Sequence, residues 1–273
     1  MADLQGKRAL VTGASSGIGA AIARRLAADG VALVITARRA PALEAIATEC
    51  RARGVTVEVV VGDLGKPGGA TEVWAAATAT GPIDILVNNA GFGYFRRFDA
   101  VAWERDAEML QLNITSLVEL TRRWVDSHAQ TTTRGYLLNI ASIGAYQSVP
   151  AMALYAATKA FVRNFTEGLH DELRGTALSA TCVCPGGTHT EFHAQAGAGD
   201  YSWIANASMK SADDVARAAL VAMQRGKRNV IPGLLNKLSC FGVRLVPRRF
   251  ASWMAKRVLG KPRHALPPRT SAG

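Results

Sequence analysis

The residues in this sequence best suited to acid–base chemistry are a tyrosine and a lysine four positions apart, Tyr155 and Lys159. Residues at this spacing share one face of a helix, so the ammonium can lie beneath the phenol. A free phenol has a pKa near ~10 and is a poor base at neutral pH, but a neighbouring ammonium favours the phenolate. Tyr155 therefore becomes a usable acid or base, and Ser142, at the end of a predicted strand, could orient the oxygen that it protonates. This set predicts proton transfer to or from an oxygen atom of a substrate.

A glycine-rich turn near the start of the chain predicts a dinucleotide site. The run from Thr12 to Gly19, TGASSGIG, lies between a predicted strand and a predicted helix. At such a turn a pyrophosphate approaches backbone N–H groups and the positive end of a helix dipole. Gly13 and Gly17 would permit the close approach, and Gly19 would permit tight packing of the helix on the strand.

The end of the second predicted strand, Thr36-Ala37-Arg38-Arg39, indicates which dinucleotide is bound. A protein that binds NAD usually carries a carboxylate here, whereas an arginine suits the 2′-phosphate of NADP(H), which a guanidinium can bind with two hydrogen bonds. We expect Arg38 to bind this phosphate, with Ser15 as an added donor. The alternative is that Arg38 and Arg39 are solvated charges at a helix start. Asp63, which ends the third predicted strand, could accept from the adenine amino group.

The elements that must hold these residues alternate between short β-branched runs and helical patterns, which is typical of parallel βαβ units. We predict an α/β protein with a doubly wound Rossmann fold, a seven-stranded parallel sheet with helices on both faces, and a basic amphipathic C-terminal extension. The predicted strands are 8–12, 31–36, 55–61, 83–87, 135–141, 178–184 and 228–231, and the predicted helices are 17–29, 40–53, 69–79, 101–129, 153–174 and 212–224.

Two segments depart from this alternation. A catalytic domain is expected over residues 1–232, with a lid at about 186–209 whose aromatic residues Phe192, Tyr201 and Trp203 would cover an apolar ligand. An ordinary surface loop is the alternative for this segment. Residues 233–273 would form the basic extension.

The charge of +11 is concentrated in the C-terminal part of the 273-residue chain. Residues 215–273 carry 13 Lys/Arg and no Asp/Glu, a charge of +13, whereas residues 1–214 carry the other 19 Lys/Arg and all 21 Asp/Glu, a charge of −2. A near-neutral enzyme with a basic appendage fits this distribution, and a nucleic-acid-binding protein does not. Apolar residues recur at helical spacing among the basic ones, so the extension could pack on its own domain, contact a partner subunit or lie on an anionic membrane.

The four cysteines are too few and too unevenly spaced for a disulfide framework, and no C-x-x-C pair indicates a metal site. No window has the apolar length of a membrane span, and the first ten residues lack the apolar stretch of a signal peptide. We therefore expect a cytoplasmic protein. Peripheral association with a membrane through the extension is the alternative that stays open.

Together these motifs resemble the short-chain dehydrogenase/reductase family over roughly residues 6–232. Further matches are Asn88-Asn89-Ala90-Gly91 after the fourth predicted strand, Asn113 in the long helix, and Pro185-Gly186 followed by Thr190. The resemblance implies an oxidoreductase that interconverts a ketone or aldehyde and an alcohol by hydride transfer, with Asn113, Ser142, Tyr155 and Lys159 as its catalytic residues. It also implies that Asn113 holds a proton-relay water, that Lys159 binds the nicotinamide ribose and that Thr190 contacts the carboxamide. It implies no metal and a homodimer or homotetramer.

The residues predicted to bind the cofactor are Gly13, Ser15, Ser16, Gly17, Ile18, Gly19, Arg38, Asp63, Leu64, Asn89, Ala90, Gly91, Tyr155, Lys159, Pro185, Gly186, Thr188 and Thr190. The sequence departs from a common NADP pattern at Ser16, where some members carry a basic residue, so the NADP(H) prediction depends on Arg38. Aromatic residues near the expected mouth of the site, Phe92, Tyr94 and Phe95 among them, favour an apolar substrate of acyl, steroid-like or other lipid-like character. The alternative function is a non-catalytic regulator that senses NADP(H).

Overall fold

The computed structural model describes residues 4–189 and 209–259, and its centre is a parallel sheet. The strands are β1 (Arg8–Thr12), β2 (Ala32–Ala37), β3 (Val57–Val61), β4 (Ile85–Asn88), β5 (Gly135–Ile140), β6 (Leu178–Val183), the short pair β7 (Thr188–His189) and β8 (Lys210–Ser211), and β9 (Asn229–Val230). Seven of them form one sheet in the order β3-β2-β1-β4-β5-β6-β9, with every pairing parallel. This confirms the predicted Rossmann-type sheet.

Helices cover both faces of this sheet. They are α1 (Gly17–Ala28), α2 (Ala40–Arg51), α3 (Gly69–Thr78), α4 (Trp103–Leu110), α5 (Ser116–Ser127), α6 (Ala153–Glu172), α7 (Ala212–Gln224), α8 (Leu234–Gly242) and α9 (Arg248–Leu259). On one face, Ile22 of α1 and Leu220 of α7 pack into the core, and on the other Val73 of α3 and Trp124 of α5 do so. Burial of these apolar side chains holds the two layers against the sheet.

The single helix predicted over residues 101–129 is wrong in detail, because the chain forms α4, a π-helical turn over Gln111–Thr115, and α5. The side chain of Asn113 lies at the centre of this turn and is bound to the backbone of Phe92. Its Oδ1 accepts from Phe92 N at 3.1 Å and its Nδ2 donates to Phe92 O at 2.9 Å. A π turn is a rare local widening that is frequent at functional sites, and a hydrophobic periodicity gives no signal for it.

The extension after β9 forms two helices, α8 and α9, joined by a short 3₁₀ turn over Val243–Leu245. Cys240 of α8 and both Ala251 and Ala255 of α9 are buried, so each helix packs one face inward. No helix within residues 4–189 and 209–259 combines the length and apolar composition needed to cross a membrane.

Candidate active site

The glycine turn brings backbone groups to the start of α1, as the sequence predicts. Gly13 has a φ of +65°, and a Cβ there would lie 2.9 Å from Ala90 Cα and 2.9 Å from Asn89 Nδ2. A Cβ on Gly19 would lie only 2.3 Å from Gly13 O, so this position tolerates no side chain. Within the described chain, the side chain of Ser16, the N-cap residue of α1, makes no capping hydrogen bond. The first turn of this helix contains no acidic residue. A helix start of this kind is suited to an anion.

Hydrogen bonds fix this turn against the loop that follows β4. Asn89 Nδ2 donates to Thr12 O at 2.9 Å and to Gly13 O at 3.2 Å. The backbone N–H groups of Asn89 and Ala90 both donate to Thr12 Oγ1 at 3.0 Å. The Asn89-Ala90-Gly91 segment is therefore held beside the glycine turn, at the carboxyl ends of neighbouring parallel strands, where open sheets of this type bind ligands.

Tyr155 and Lys159 lie on the first turns of α6, with the Lys159 Nζ 5.8 Å from the centroid of the Tyr155 ring. Lys159 is buried, and its Nζ donates to Ile140 O at the end of β5, at 2.9 Å. Burial lowers the pKa of Lys159 to about 8, because the charged form loses hydration. The Lys159 ammonium is thus held at the end of β5, near the Tyr155 ring. It loses its proton at a lower pH than an exposed lysine does.

Ser142 and Asn113 reach the same region from other elements. Ser142 follows β5, and its Oγ accepts from Gly144 N at 3.1 Å, which fixes the short 3₁₀ turn after it. Asn113 is buried in the π turn, and its Nδ2 also donates to Thr158 Oγ1 at 3.1 Å. A Cβ on Gly91 would lie 3.0 Å from Asn113 Oδ1 and 3.3 Å from Lys159 Nζ, so both side chains approach this backbone.

One cavity of about 690 Å³ joins the glycine turn to Ser142, Tyr155 and Lys159, whereas the predicted residues Asn113, Ser15 and Gly19 are not part of its lining. From the predicted set it is lined by Gly13, Ser16, Gly17, Ile18, Asn89, Ala90, Gly91, Ser142, Tyr155, Lys159, Pro185, Gly186 and Thr188. Among the described residues that line it, Lys159 is the single charged side chain. The cavity therefore runs from a backbone-rich end to a polar centre, and its remaining walls are mostly apolar.

The residues predicted to hold the adenosine end lie outside this cavity lining. Arg38 NH1 donates to Glu108 Oε1 of α4 at 3.0 Å, whereas Arg39 NH2 donates to Ser15 Oγ at 3.4 Å. Arg39 thus contacts the glycine turn through Ser15, whereas Arg38, the residue predicted to bind the phosphate, is paired with α4.

The two neighbouring predictions, Asp63 and Leu64, are engaged with the protein itself. Asp63 Oδ1 accepts from Gly65 N at 3.0 Å, and Leu64 O accepts from Ser116 Oγ at 2.7 Å. Both residues nevertheless follow β3 at the same sheet edge. Thr190, the aromatic residues of the predicted lid and most of that segment lie outside the described residues.

Comparisons with known proteins identify the family. The sequence model of the family described as short chain dehydrogenase matches residues 7–200 of this chain. The chain belongs to the short-chain dehydrogenase family. An uncharacterized oxidoreductase of Staphylococcus saprophyticus is 35% identical over 230 residues, which are 82% of this chain and 94% of that protein. A putative ketoacyl reductase of granaticin polyketide synthesis in Streptomyces violaceoruber is 38% identical over 184 residues, 67% of this chain and 68% of that protein.

A solved short-chain dehydrogenase from Sphingobium yanoikuyae, in complex with NADPH, superposes with a TM-score of 0.78. It is 33% identical, and the match covers 88% of this chain and 94% of that one. The resemblance inferred from the motifs is thus confirmed, and this short-chain dehydrogenase belongs to a family of oxidoreductases.

The sequence analysis missed the contribution of the extension to the site of this short-chain dehydrogenase. Twelve residues of α8, α9 and the turn between them line the cavity: Leu235, Asn236, Ser239, Cys240, Gly242, Val243, Val246, Phe250, Ala251, Met254, Ala255 and Val258. Asn236 also packs on the Pro185-Gly186 turn, because a Cβ on Gly186 would lie 2.5 Å from Asn236 Nδ2. The helical spacing of apolar residues could have indicated a packed face, but not what that face covers.

Two further residues of this region, Gly93 and Cys240, had no signal in the sequence. A Cβ on Gly93 would lie 2.4 Å from Tyr155 Cδ2, so a glycine is required for the ring to occupy its place. Cys240 lines the cavity, but burial raises its pKa to about 12 and keeps it a neutral thiol. Of the predicted aromatic residues, Phe95 lines the cavity, whereas Phe92 lies under the guanidinium of Arg105 at 4.1 Å.

Proposed function

We propose that this chain is an NADP(H)-dependent oxidoreductase that interconverts a ketone or aldehyde and an alcohol on an apolar, lipid-like substrate. The observation that carries the proposal is the cavity that joins the glycine turn to Ser142, Tyr155 and Lys159. A nucleotide bound at the turn would extend along this cavity to the tyrosine. Hydride transfer requires such contact between cofactor and substrate.

The residues at the backbone-rich end fit a dinucleotide. Gly13, Gly17 and the start of α1 offer N–H groups and the positive end of a helix dipole to a pyrophosphate. A side chain at Gly13 or Gly19 would collide with the neighbouring backbone and with Asn89, so the turn could not keep this geometry. We assign Asn89-Ala90-Gly91 to the floor of the site and Pro185, Gly186 and Thr188 to its opposite wall.

NADP(H) rather than NAD(H) is supported by the absence of an acid at the end of β2 and by the pair Arg38-Arg39. The neighbour from Sphingobium yanoikuyae binds NADPH. The contact between Arg39 and Ser15 makes Arg39 a second candidate for the 2′-phosphate beside Arg38. A planar guanidinium can bind a phosphate with two parallel hydrogen bonds, which the exposed ends of these side chains permit.

The nicotinamide, when bound, would supply the hydride for the carbonyl carbon or take up the hydride from the alcohol carbon. Tyr155 gives its phenolic proton to the substrate oxygen in reduction and takes it back in oxidation. Lys159 stabilises the phenolate through its positive charge, and burial strengthens this interaction because little water screens it. Ser142 would orient the substrate oxygen toward the phenol.

The walls beyond the tyrosine support an apolar substrate. Phe95, Val149 and Met152 line one side, and Phe250 and Met254 line the side formed by α9. A cavity with one charged residue and long apolar walls binds a carbonyl or hydroxyl group at its polar centre and an apolar chain or ring system along its length. The ketoacyl reductase name of the Streptomyces violaceoruber relative is consistent with such a substrate.

The cofactor part of the proposal is tested by isothermal titration of NADPH and NADH against the wild type, Arg38→Ala and Arg39→Ala. We expect NADPH to bind more tightly than NADH to the wild type, and the preference to fall in at least one variant, because the 2′-phosphate then loses a charged partner. Equal binding of the two nucleotides to the wild type would show that the arginines do not select NADP(H). Cytoplasmic location, oligomeric state and the boundary at residue 232 stay predictions.

A second experiment separates an enzyme from an NADP(H) sensor. Tyr155→Phe removes only the phenolic oxygen, so NADPH should bind as in the wild type while reduction of apolar ketones and aldehydes is lost. A wild type that binds NADPH but reduces no carbonyl in a broad apolar panel would favour the sensor.

A further inference from the structure

The outer side of the extension carries an unusual number of exposed apolar residues. Leu234, Leu238, Phe241 and Leu245 follow one another at helical spacing and are all exposed in the part of the chain that the structure describes. Phe250 and Trp253 of α9 are exposed as well, with their ring centroids 5.6 Å apart. We call these six residues, which lie on α8, α9 and the turn between them, the docking face. A concentration of large exposed apolar side chains within one short segment, residues 234–253, indicates an interaction surface.

Basic residues accompany the docking face along the extension, whose sequence contains no acidic residue. The cations on the two helices and their connection are Lys237, Arg244, Arg248, Arg249, Lys256 and Arg257, and no Asp or Glu follows Asp214 in the sequence. Arg257 lies over the Trp253 ring at 4.6 Å, so a charge and an aromatic ring share one position on α9. Apolar side chains flanked by cations match the two layers of an anionic membrane surface, acyl chains beneath and phosphate groups above.

We propose that the docking face binds the surface of an anionic lipid bilayer. A second copy of the chain fits it less well, because a two-fold interface would set this basic face against itself with no acidic residue on either helix. Nucleic acid matches the cations but leaves the exposed leucines and aromatic rings without an apolar partner. The bilayer satisfies both features.

The position of the cavity gives this docking a consequence. Leu235, Phe250 and Met254 are exposed and at the same time line the cavity that contains Tyr155. The cavity therefore borders the docking face, and an apolar molecule could pass from the bilayer into it without crossing water. This consequence rests on the proposed function, whereas the docking itself does not.

Co-sedimentation of the full-length protein with vesicles tests the docking. We expect binding to vesicles that contain phosphatidylglycerol, little binding to vesicles of phosphatidylcholine alone, and weaker binding as salt is raised. Leu238→Gln should weaken binding to the anionic vesicles about tenfold, because a leucine no longer enters the apolar layer. Arg249→Gln should weaken it about fivefold, the effect of one basic residue near an anionic surface.

Matched controls lie elsewhere on the surface. Val61 on the edge strand β3 is 55% exposed, close to the 58% of Leu238, and Arg53 is exposed after α2. Val61→Gln and Arg53→Gln should bind as the wild type does. Circular dichroism would establish that all four variants are folded.

Two outcomes would overturn the proposal. One is equal binding of the wild type, Leu238→Gln and Arg249→Gln to anionic vesicles, which would place any lipid contact elsewhere. The other is a wild type that does not sediment with vesicles, together with light scattering in which the molar mass of Leu238→Gln is half that of the wild type. The face would then be a subunit interface. A loss of carbonyl reduction would test only the proposed function, since vesicle binding is measured without substrate.

Discussion

Replacing Lys159 by methionine removes a charge that the fold keeps out of water. The side chain is buried, and its pKa falls from the ordinary 10.5 to about 8. Each pKa unit is worth about 1.4 kcal/mol, so burying the charged lysine lowers the free energy of unfolding at pH 7 by about 3 kcal/mol. The loss of the hydrogen bond to Ile140 O acts in the opposite direction, by about 1–3 kcal/mol. The net effect at pH 7 is thus a small gain or none.

The dependence on pH separates the two contributions. Between about pH 8 and 10.5 the unfolded chain keeps the Lys159 proton while the folded chain releases it, so the wild type gains stability as pH rises through this window. Lys159→Met has no such group. The free energy of unfolding of the variant, relative to the wild type, should therefore fall by about 2.5 kcal/mol between pH 7 and pH 10. The hydrogen bond does not alter this change, because a neutral amine can still donate to Ile140 O.

Urea denaturation followed by circular dichroism at pH 7, 8.5 and 10 measures this difference. Lys227→Met is the matched control, because Lys227 is exposed and lies far along the chain from the cavity residues of α6. Its stability relative to the wild type should hardly change over the same range. If the Lys159→Met difference were equally flat, the lysine would be hydrated in solution and the argument for a strong, poorly screened interaction with Tyr155 would fail.

Three further substitutions test other parts of the structure. Gly93→Ala should lower kcat about 100-fold with little change in NADPH affinity, because a Cβ 2.4 Å from the Tyr155 ring must displace the ring by roughly 1 Å. A variant with the kcat of the wild type would contradict this prediction. Glu108→Gln should raise NADPH affinity, but not NADH affinity, about two- to fivefold in isothermal titration, because its ion pair with Arg38 competes with the 2′-phosphate. An unchanged NADPH affinity would argue against that competition. Gly168→Ala within α6 should raise the free energy of unfolding by about 1 kcal/mol in urea, since a Cβ there meets no atom within 4 Å; a loss of stability would mean that the helix surface is covered.

The sequence by itself determined the sheet, its order of elements and the family. The β-branched strands and the helices between them are local signals, and all seven predicted strands pair in the main sheet. The motif residues Ser142, Tyr155 and Lys159 could be found in the same way, because strand ends and helical spacing place them at one edge of a parallel sheet. These features depend on neighbours in sequence, which is why they could be predicted.

Other features were decided by the tertiary structure alone. The ion pair of Arg38 with Glu108 joins residues 70 positions apart, and the π turn at Asn113 depends on the backbone of Phe92, 21 positions earlier. The extension looked like an appendage because of its charge, and its apolar spacing left packing on the domain, subunit contact or a membrane open. Only the packed fold brings α8 and α9 over the cavity, since which surface an amphipathic helix covers is set by distant elements and not by its own residues.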